Sequence, residues 1–281
     1  MFNRRIALSL AAAAVLAACS KSGPAPAASA AASGAAAPAA KVYTVATHAV
    51  FAPFESVGTN GKIEGFDIDV MDAIAAKSSL QIKYKDTPWE GIFNSLNSGE
   101  ADIVASGVTI TDVRKQSMDF SEPYFEANQL IAVKPDSTAA SFNDVKGKTI
   151  GVLNASTGEE IVAKLIGKDN ANIKRYESTA MSLQELAAGG VNSVVGDNGV
   201  VKHFIAHNPN VKLKLVEDKT FEPEYYGFVV KKGNTELQGK INAGLKAIKA
   251  DGTYDKIYAK WFGAAPAAKP AASAAASAAS K

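Results

Sequence analysis

Two stretches of this chain can be laid over one another. Leu96 to Gly107 and Leu186 to Asp197 share a leucine, a glycine and the first valine of an apolar run at matching positions. Each reads as the end of a helix, a glycine stop, then a short strand ending at a chemically special residue. That residue is Gly107 in one copy and Asp197 in the other. Chance similarity of two helix–turn–strand units is the competing reading. A true repeat commits the chain to two similar lobes. Strands alternate with helices around both copies, which implies an α/β fold with a mostly parallel sheet in each lobe. Open sheets of this kind bind ligands beyond the carboxyl ends of their strands, so Gly107 and Asp197 would face one cleft.

The elements follow from local pattern. Val42–Ala46, Ile82–Tyr84, Asp102–Ser106, Thr149–Leu153 and Ser193–Gly196 read as strands. Asp67–Ser78 carries Val70, Met71 and Ile74 on one helical face. Trp89, Ile92, Phe93 and Leu96 fall at helical spacing, with Gly99 as the stop. Helices are also expected over Glu159–Ile166, Ser182–Ala188, Thr235–Lys249 and Tyr254–Trp261.

The two ends of the 281 residues read differently. Asn3-Arg4-Arg5 precedes an apolar run, Ile6–Leu16, too short to span a bilayer and suited to a secretory signal over residues 1–18. Leu16-Ala17-Ala18-Cys19 then resembles a bacterial lipobox, in which Cys19 is acylated. Cys19 is the single cysteine, so no intrachain disulfide can form and lipid attachment explains it better than redox chemistry. The alternative is a plain signal peptide with an incidental cysteine. With Ser20 next to it, the resemblance to Gram-negative lipoproteins favours the outer membrane over inner-membrane retention. Residues 19–40 and 264–281 are nearly all Ala, Ser, Pro, Gly and Lys, and have too little apolar surface to offset the entropy of ordering. Both read as disordered tethers. Roughly 220 residues remain, enough for two small lobes. The formal charge is +2. Without Arg4 and Arg5 it is near zero, and no basic patch points to nucleic acid.

The chemistry concentrates in Ser106-Gly107-Val108-Thr109-Ile110-Thr111-Asp112-Val113-Arg114. A permanent cation, a hydroxyl and a free backbone amide lie together at a strand end, a set that suits a small carboxylate. The planar guanidinium of Arg114 fits a carboxylate with two hydrogen bonds, and Thr111 and Asp112 read as the start of a short helix that aims it. The competing reading is a surface ion pair. Asp197 ends an apolar strand and must be paired or solvated there. It suits a ligand ammonium, or else caps a helix over Gly199–Ile205. Asn154-Ala155-Ser156-Thr157-Gly158 lies between a strand and a helix start, where free N–H groups favour an anion. It lacks the spacing and lysine of a phosphate loop. Phe51, Phe54 and Trp89 are pocket or core aromatics, with core packing fitting Phe54 best. His203 and His207 stand four apart, a metal-like spacing without a third ligand, and read as solvent-facing. No metal or cofactor is expected.

These motifs resemble family 3 of the bacterial extracellular solute-binding proteins, the polar amino-acid-binding proteins that serve ABC importers. The T-x-T-x-x-R pattern is matched by Thr109 and Arg114, the Y/F-x-P-F-E pattern by Phe51 to Glu55, and the second-lobe motif by Val194-Val195-Gly196-Asp197. The resemblance covers Lys41 to Gly263. It implies a two-lobed periplasmic binding protein fold, with lobe 1 over 42–124 plus 227–263 and lobe 2 over 129–222. Two segments, 124–128 and 222–226, would cross between them. It implies that Arg114 grips the α-carboxylate of a free L-amino acid with help from Ser156, Thr157 and Gly158. Asp197, Gly107 and Thr109 would take the α-ammonium, and Phe51 and Trp89 would flank the side chain. Ala155 stands where the family often has glycine, and His48 where many members carry an aspartate that meets the ligand side chain. With histidine in that place, a polar neutral or acidic ligand is expected rather than a strongly cationic one.

The expectation is therefore a monomeric periplasmic lipoprotein, held to the bilayer through Cys19. It would close on an amino acid and deliver it to a membrane permease driven by a separate ATPase. Two alternatives stand beside it. Cyclohexadienyl dehydratases use a similar fold and need a cleft acid for proton transfer, for which Glu55, Glu90 and Glu159 are the candidates. A ligand-sensing lipoprotein without a transport partner is the other. A murein lyase would need a further catalytic domain.

Overall fold

The computed structural model describes residues 41–263. The signal peptide, Cys19, the 19–40 linker and the 264–281 tail lie outside the described residues. Among the described residues no helix is long and apolar enough to cross a membrane.

The first lobe opens with β1 (Val42–Thr47) and a small antiparallel sheet of β2 (Val50–Phe51), β3 (Glu55–Val57) and β4 (Ile63–Glu64). There follow α1 (Phe66–Lys77), β5 (Gln81–Asp86), α2 (Trp89–Ser98), β6 (Ile103–Val104), α3 (Asp112–Ser117) and β7 (Met118–Phe120). β8 (Phe125–Ala127) leaves this lobe. The second lobe holds β9 (Gln129–Val133), β10 (Ile150–Leu153), α4 (Thr157–Ile166), β11 (Ile173–Tyr176), α5 (Thr179–Ala188), β12 (Ser193–Asp197), α6 (Asn198–His207) and β13 (Lys214–Val216). The chain returns on β14 (Glu224–Tyr226) and ends with β15 (Val229–Lys231), α7 (Thr235–Ala250) and α8 (Thr253–Phe262).

Two five-stranded sheets result, ordered β5-β1-β6-β15-β7 and β11-β10-β12-β9-β13. They follow one plan. The helix before β6 and the helix before β12 each stop at a left-handed glycine, Gly99 and Gly189, as the overlaid segments suggested. Each sheet is mostly parallel, as expected, and carries one reversed strand. β1 runs parallel to β5 and β6, and β10 parallel to β11 and β12. β15 and β9 run antiparallel to their neighbours. The reason is topological: β9 and β15 are the strands that enter each sheet directly from a crossover, without a helix to reverse their direction. The crossover strands themselves, β8 and β14, pair antiparallel as a two-stranded ribbon, with Phe125 opposite Tyr226.

The first-lobe core is aromatic at its centre. Phe54 and Phe66 are fully buried and pack edge-to-face with Phe125 of the crossover, and Phe54 does the same with Tyr226. The rings of the crossover ribbon are thus anchored in the first lobe. The second lobe buries an apolar layer on each side of its sheet, with Ile131, Val152 and Val162 on one side and Ala132, Leu183 and Val201 on the other.

Candidate functional site

Strand ends from both lobes surround a cavity of about 320 Å³. β6 runs out at Val104, and the chain continues through Ser106 and Gly107 into the cavity wall. Gly107 has φ of +53°, and a Cβ there would lie 2.6 Å from the Phe51 ring. Only glycine combines that turn with that approach. The turn aims the Gly107 N–H at Asp67 Oδ2, 2.8 Å away, which also accepts from Tyr124 Oη at 2.6 Å. Ser106 Oγ donates to Glu55 Oε1 at 2.7 Å and accepts from the His48 N–H at 3.0 Å. Glu55 and Asp67 are fully buried, so burial pushes both carboxyls up, Asp67 to about 7, and the charge of Asp67 pushes Glu55 further. This buried acidic pair fixes the two residues of the strand end from behind.

Arg114 is the third residue of α3. The Thr111 side chain accepts its backbone N–H and caps the helix. The guanidinium is 8% exposed and lies 5.6 Å from the Trp89 ring and 5.4 Å from the Phe93 ring. It donates to the Thr109 carbonyl at 3.0 Å and to the Ala155 carbonyl of the other lobe at 3.4 Å. Among the described residues no carboxylate forms a salt bridge with it. The surface ion pair weighed from sequence is therefore not its role. Burial lowers its pKa, opposed by the charges of Glu160, Glu224 and Asp197.

Asp197 ends β12 and is 7% exposed. It sits at the start of α6, yet its side chain caps nothing there. Its Oδ1 accepts instead from Tyr226 Oη at 2.7 Å and Gln129 Nε2 at 3.1 Å. Burial, reinforced by the charge of Glu224, pushes its carboxyl up to about 7.

The second-lobe loop is closed by Ser156, which caps α4 by accepting the Glu159 N–H at 3.1 Å. The helix begins at Thr157, two residues before the expected Glu159, so Thr157 and Gly158 belong to its first turn. Glu159 is fully engaged: one oxygen accepts the Ala155 N–H at 2.6 Å and the other pairs with Arg175. Ala155 takes φ of +56°, the left-handed region that favours glycine. Ala155→Gly should therefore stabilise the fold by about 0.5–1 kcal/mol, net of the greater freedom of glycine in the unfolded chain. Thermal melting reads this as a midpoint raised by a few degrees; a lowered midpoint would contradict the strain.

His48, Phe51, Trp89, Ser106, Gly107, Thr109, Arg114, Ser156, Thr157 and Asp197 all line the cavity. Gly158 does not line it; a Cβ there would meet Gln129 Oε1 at 2.8 Å. Leu153 lines it too and was missed, because a leucine ending a strand reads as core. Glu55, Glu90 and Glu159, the acids a dehydratase would need, do not line this cavity. His203 and His207 stack with ring centroids 3.9 Å apart on α6, His207 exposed and His203 half-buried. Among the described residues no cluster of three metal-ligating side chains occurs.

Residues 43–264 match the family described as bacterial extracellular solute-binding proteins, family 3. The chain is 45% identical over 223 residues to a probable histidine-binding protein of Neisseria gonorrhoeae, covering 79% of this chain and 83% of that one. It is 32% identical over 228 residues to a putative ABC transporter arginine-binding protein 2 of Escherichia coli (strain K12), covering 80% and 92%. Among solved structures it is similar to the arginine-, lysine-, histidine-binding protein ArtJ from Geobacillus stearothermophilus. That match has a TM-score of 0.78 and 47% identity over 81% of this chain and 97% of that one.

Proposed function

The chain belongs to family 3 of the bacterial extracellular solute-binding proteins, and from that premise we propose that it captures a free L-amino acid with a basic side chain for an ABC importer. One observation carries the reading: a buried guanidinium and a buried carboxylate, Arg114 and Asp197, face a single cavity from opposite lobes. A zwitterion satisfies both. Arg114 with the Ser156–Thr157 turn receives the α-carboxylate, and Asp197 with Thr109 and Gly107 receives the α-ammonium. Phe51 and Trp89 flank the side chain. The dehydratase alternative has less support, since none of its candidate acids lines the cavity between Arg114 and Asp197.

The side chain leads past His48. From His48 alone the sequence favoured a neutral or acidic ligand. An adjoining cavity of about 1220 Å³, also lined by His48 and Trp89, adds Asp86, Glu90 and Glu177 and has no lysine or arginine on its wall. Asp86 and Glu177 both act on His48 through their charge, although burial outweighs them and lowers its pKa. Three acids at the far end of a side-chain path favour a guanidinium, ammonium or imidazole. The relatives named for arginine, lysine and histidine agree with that preference.

Capture works by hinge closure. The crossings at 124–128 and 222–226 serve as the hinge between lobes 42–124 plus 227–263 and 129–222, and a membrane permease reads the closed form. Residues 1–18 direct export, and acylation of Cys19 holds the monomer at the periplasmic face of a membrane.

A thermal-shift panel of the twenty amino acids on protein stripped of carried ligand tests the reading. A ligand that binds only the folded state raises the melting midpoint by mass action. Shifts with arginine, lysine or histidine support it. Shifts confined to acidic or neutral residues would overturn the side-chain assignment, and no shift at all would overturn the ligand class.

A further inference from the structure

Glu224 was singled out by no motif, and it does not line the 320 Å³ cavity. It is the first residue of β14, on the crossover ribbon, and is half-buried. Its Oε2 accepts three hydrogen bonds: from Thr157 Oγ1 at 2.9 Å, Thr109 Oγ1 at 3.1 Å and Gln129 Nε2 at 3.2 Å. Gln129 spends its other amide proton on Asp197 at 3.1 Å. The two threonine hydroxyls lie 3.4 Å apart, and both direct their single proton to the same carboxylate oxygen.

These donors come from different bodies. Thr109 belongs to the first lobe and is tied to the crossover strand by backbone, through a bridge to Tyr226 and the Ile110 N–H bond to the Tyr225 carbonyl at 2.8 Å. Glu224 therefore stays with Thr109. Thr157 belongs to the second lobe and opens α4, a ten-residue helix. Its positive N-terminal end adds a favourable field for a carboxylate. If the lobes part about the ribbon, Glu224 loses Thr157, as Arg114 loses the Ala155 carbonyl, while Gln129 sits next to the crossover strand and stays nearer to Glu224.

We propose that Glu224 is a closure latch, a positioning residue that holds the second lobe against the first before any solute arrives. A ligand that binds the closed form then meets a larger closed fraction, and its apparent affinity rises in proportion. The latch also holds Thr109 and Thr157 side by side on the cavity wall.

The test is made without ligand, so it does not depend on the solute assignment above. Spin labels are placed on the full chain with Cys19→Ser, at Val57 of the first lobe and Leu165 of the second, both more than 45% exposed. Interlobe distances are measured by pulsed electron resonance in ligand-free protein. The latch predicts a substantial closed population, and a fall of about tenfold in the closed-to-open ratio on Glu224→Ala, the worth of one charge-assisted hydrogen bond at a half-exposed site. Glu224→Gln, which keeps the acceptor and the shape, should shift the ratio less. Thr157→Val should shift it about as far as Glu224→Ala, and the double variant no further. A distribution that Glu224→Ala leaves unchanged, or moves no more than Glu222→Ala does, would overturn the latch. Should Glu224→Ala fail to fold, the Thr157→Val and Glu224→Gln distributions decide the matter by the same criteria.

Discussion

Arg114→Ala should weaken amino-acid binding by at least about a hundredfold while the protein still folds. The guanidinium offers a ligand carboxylate two charge-assisted bonds, each worth roughly 1.5–3 kcal/mol, and 1.4 kcal/mol is a factor of ten in affinity. Its loss also strands a carboxylate in a buried site. The fold should tolerate the change, because Arg114 holds no protein carboxylate and only the Thr109 and Ala155 carbonyls lose a donor. Arg114→Lys keeps the charge and loses the fork, and should fall between the two. Calorimetric titration beside a thermal melt checks this. Micromolar binding retained by Arg114→Ala, with the fold intact, would refute the assignment.

Asp197→Asn should cost about thirtyfold or more, and it should change how binding depends on pH. Removing one partner of a buried, hydrogen-bonded charge pair costs roughly 2–5 kcal/mol. In the folded protein the Asp197 carboxyl is pushed up to about 7 by burial and Glu224. A bound ammonium requires it ionised, so binding releases a proton. Affinity in the unsubstituted protein should then weaken by up to about tenfold per unit as pH falls below about 7. Asp197→Asn should remove that slope. The stability of the ligand-free protein moves oppositely. The unfolded aspartate titrates near 3.8 and the folded one near 7. Between those values the folded state binds more protons, so this group's contribution to stability falls as pH rises from about 4 to 7. Titrations and melts at pH 5.5 and 8 read both effects, and a pH-independent affinity in the unsubstituted protein would contradict the ammonium role.

How much of this was legible in the sequence depended on whether the signal was local. Arg114 was legible because Thr109, Thr111 and the helix start lie within six residues of it. Asp197 was legible because an acid closing an apolar strand needs a partner. Glu224 and Gln129 carried no such signal: each lies on or beside a crossover strand, and they reach the cavity's rear only once both lobes are assembled. Asp86 and Glu177 are exposed acids on separate segments, alike in sequence to any solvated surface charge, and Glu90 was singled out only as a candidate proton-transfer acid. Their common orientation around one cavity is a tertiary fact. The same limit explains the sheets. Alternating elements implied parallel strands, and the reversed β9 and β15 were hidden because each is a short strand entered straight from a crossover. The small β2–β4 sheet was hidden because its strands are only two or three residues long.

The central claim is that this cavity reads both ends of a zwitterion. It is tested most directly by titrating the protein with L-arginine, with its decarboxylated amine and with its Nα-acetyl form. The account predicts that L-arginine binds and that each derivative loses at least about a hundredfold, since each leaves Arg114 or Asp197 buried without its partner. Equal binding of L-arginine and the decarboxylated amine would contradict it.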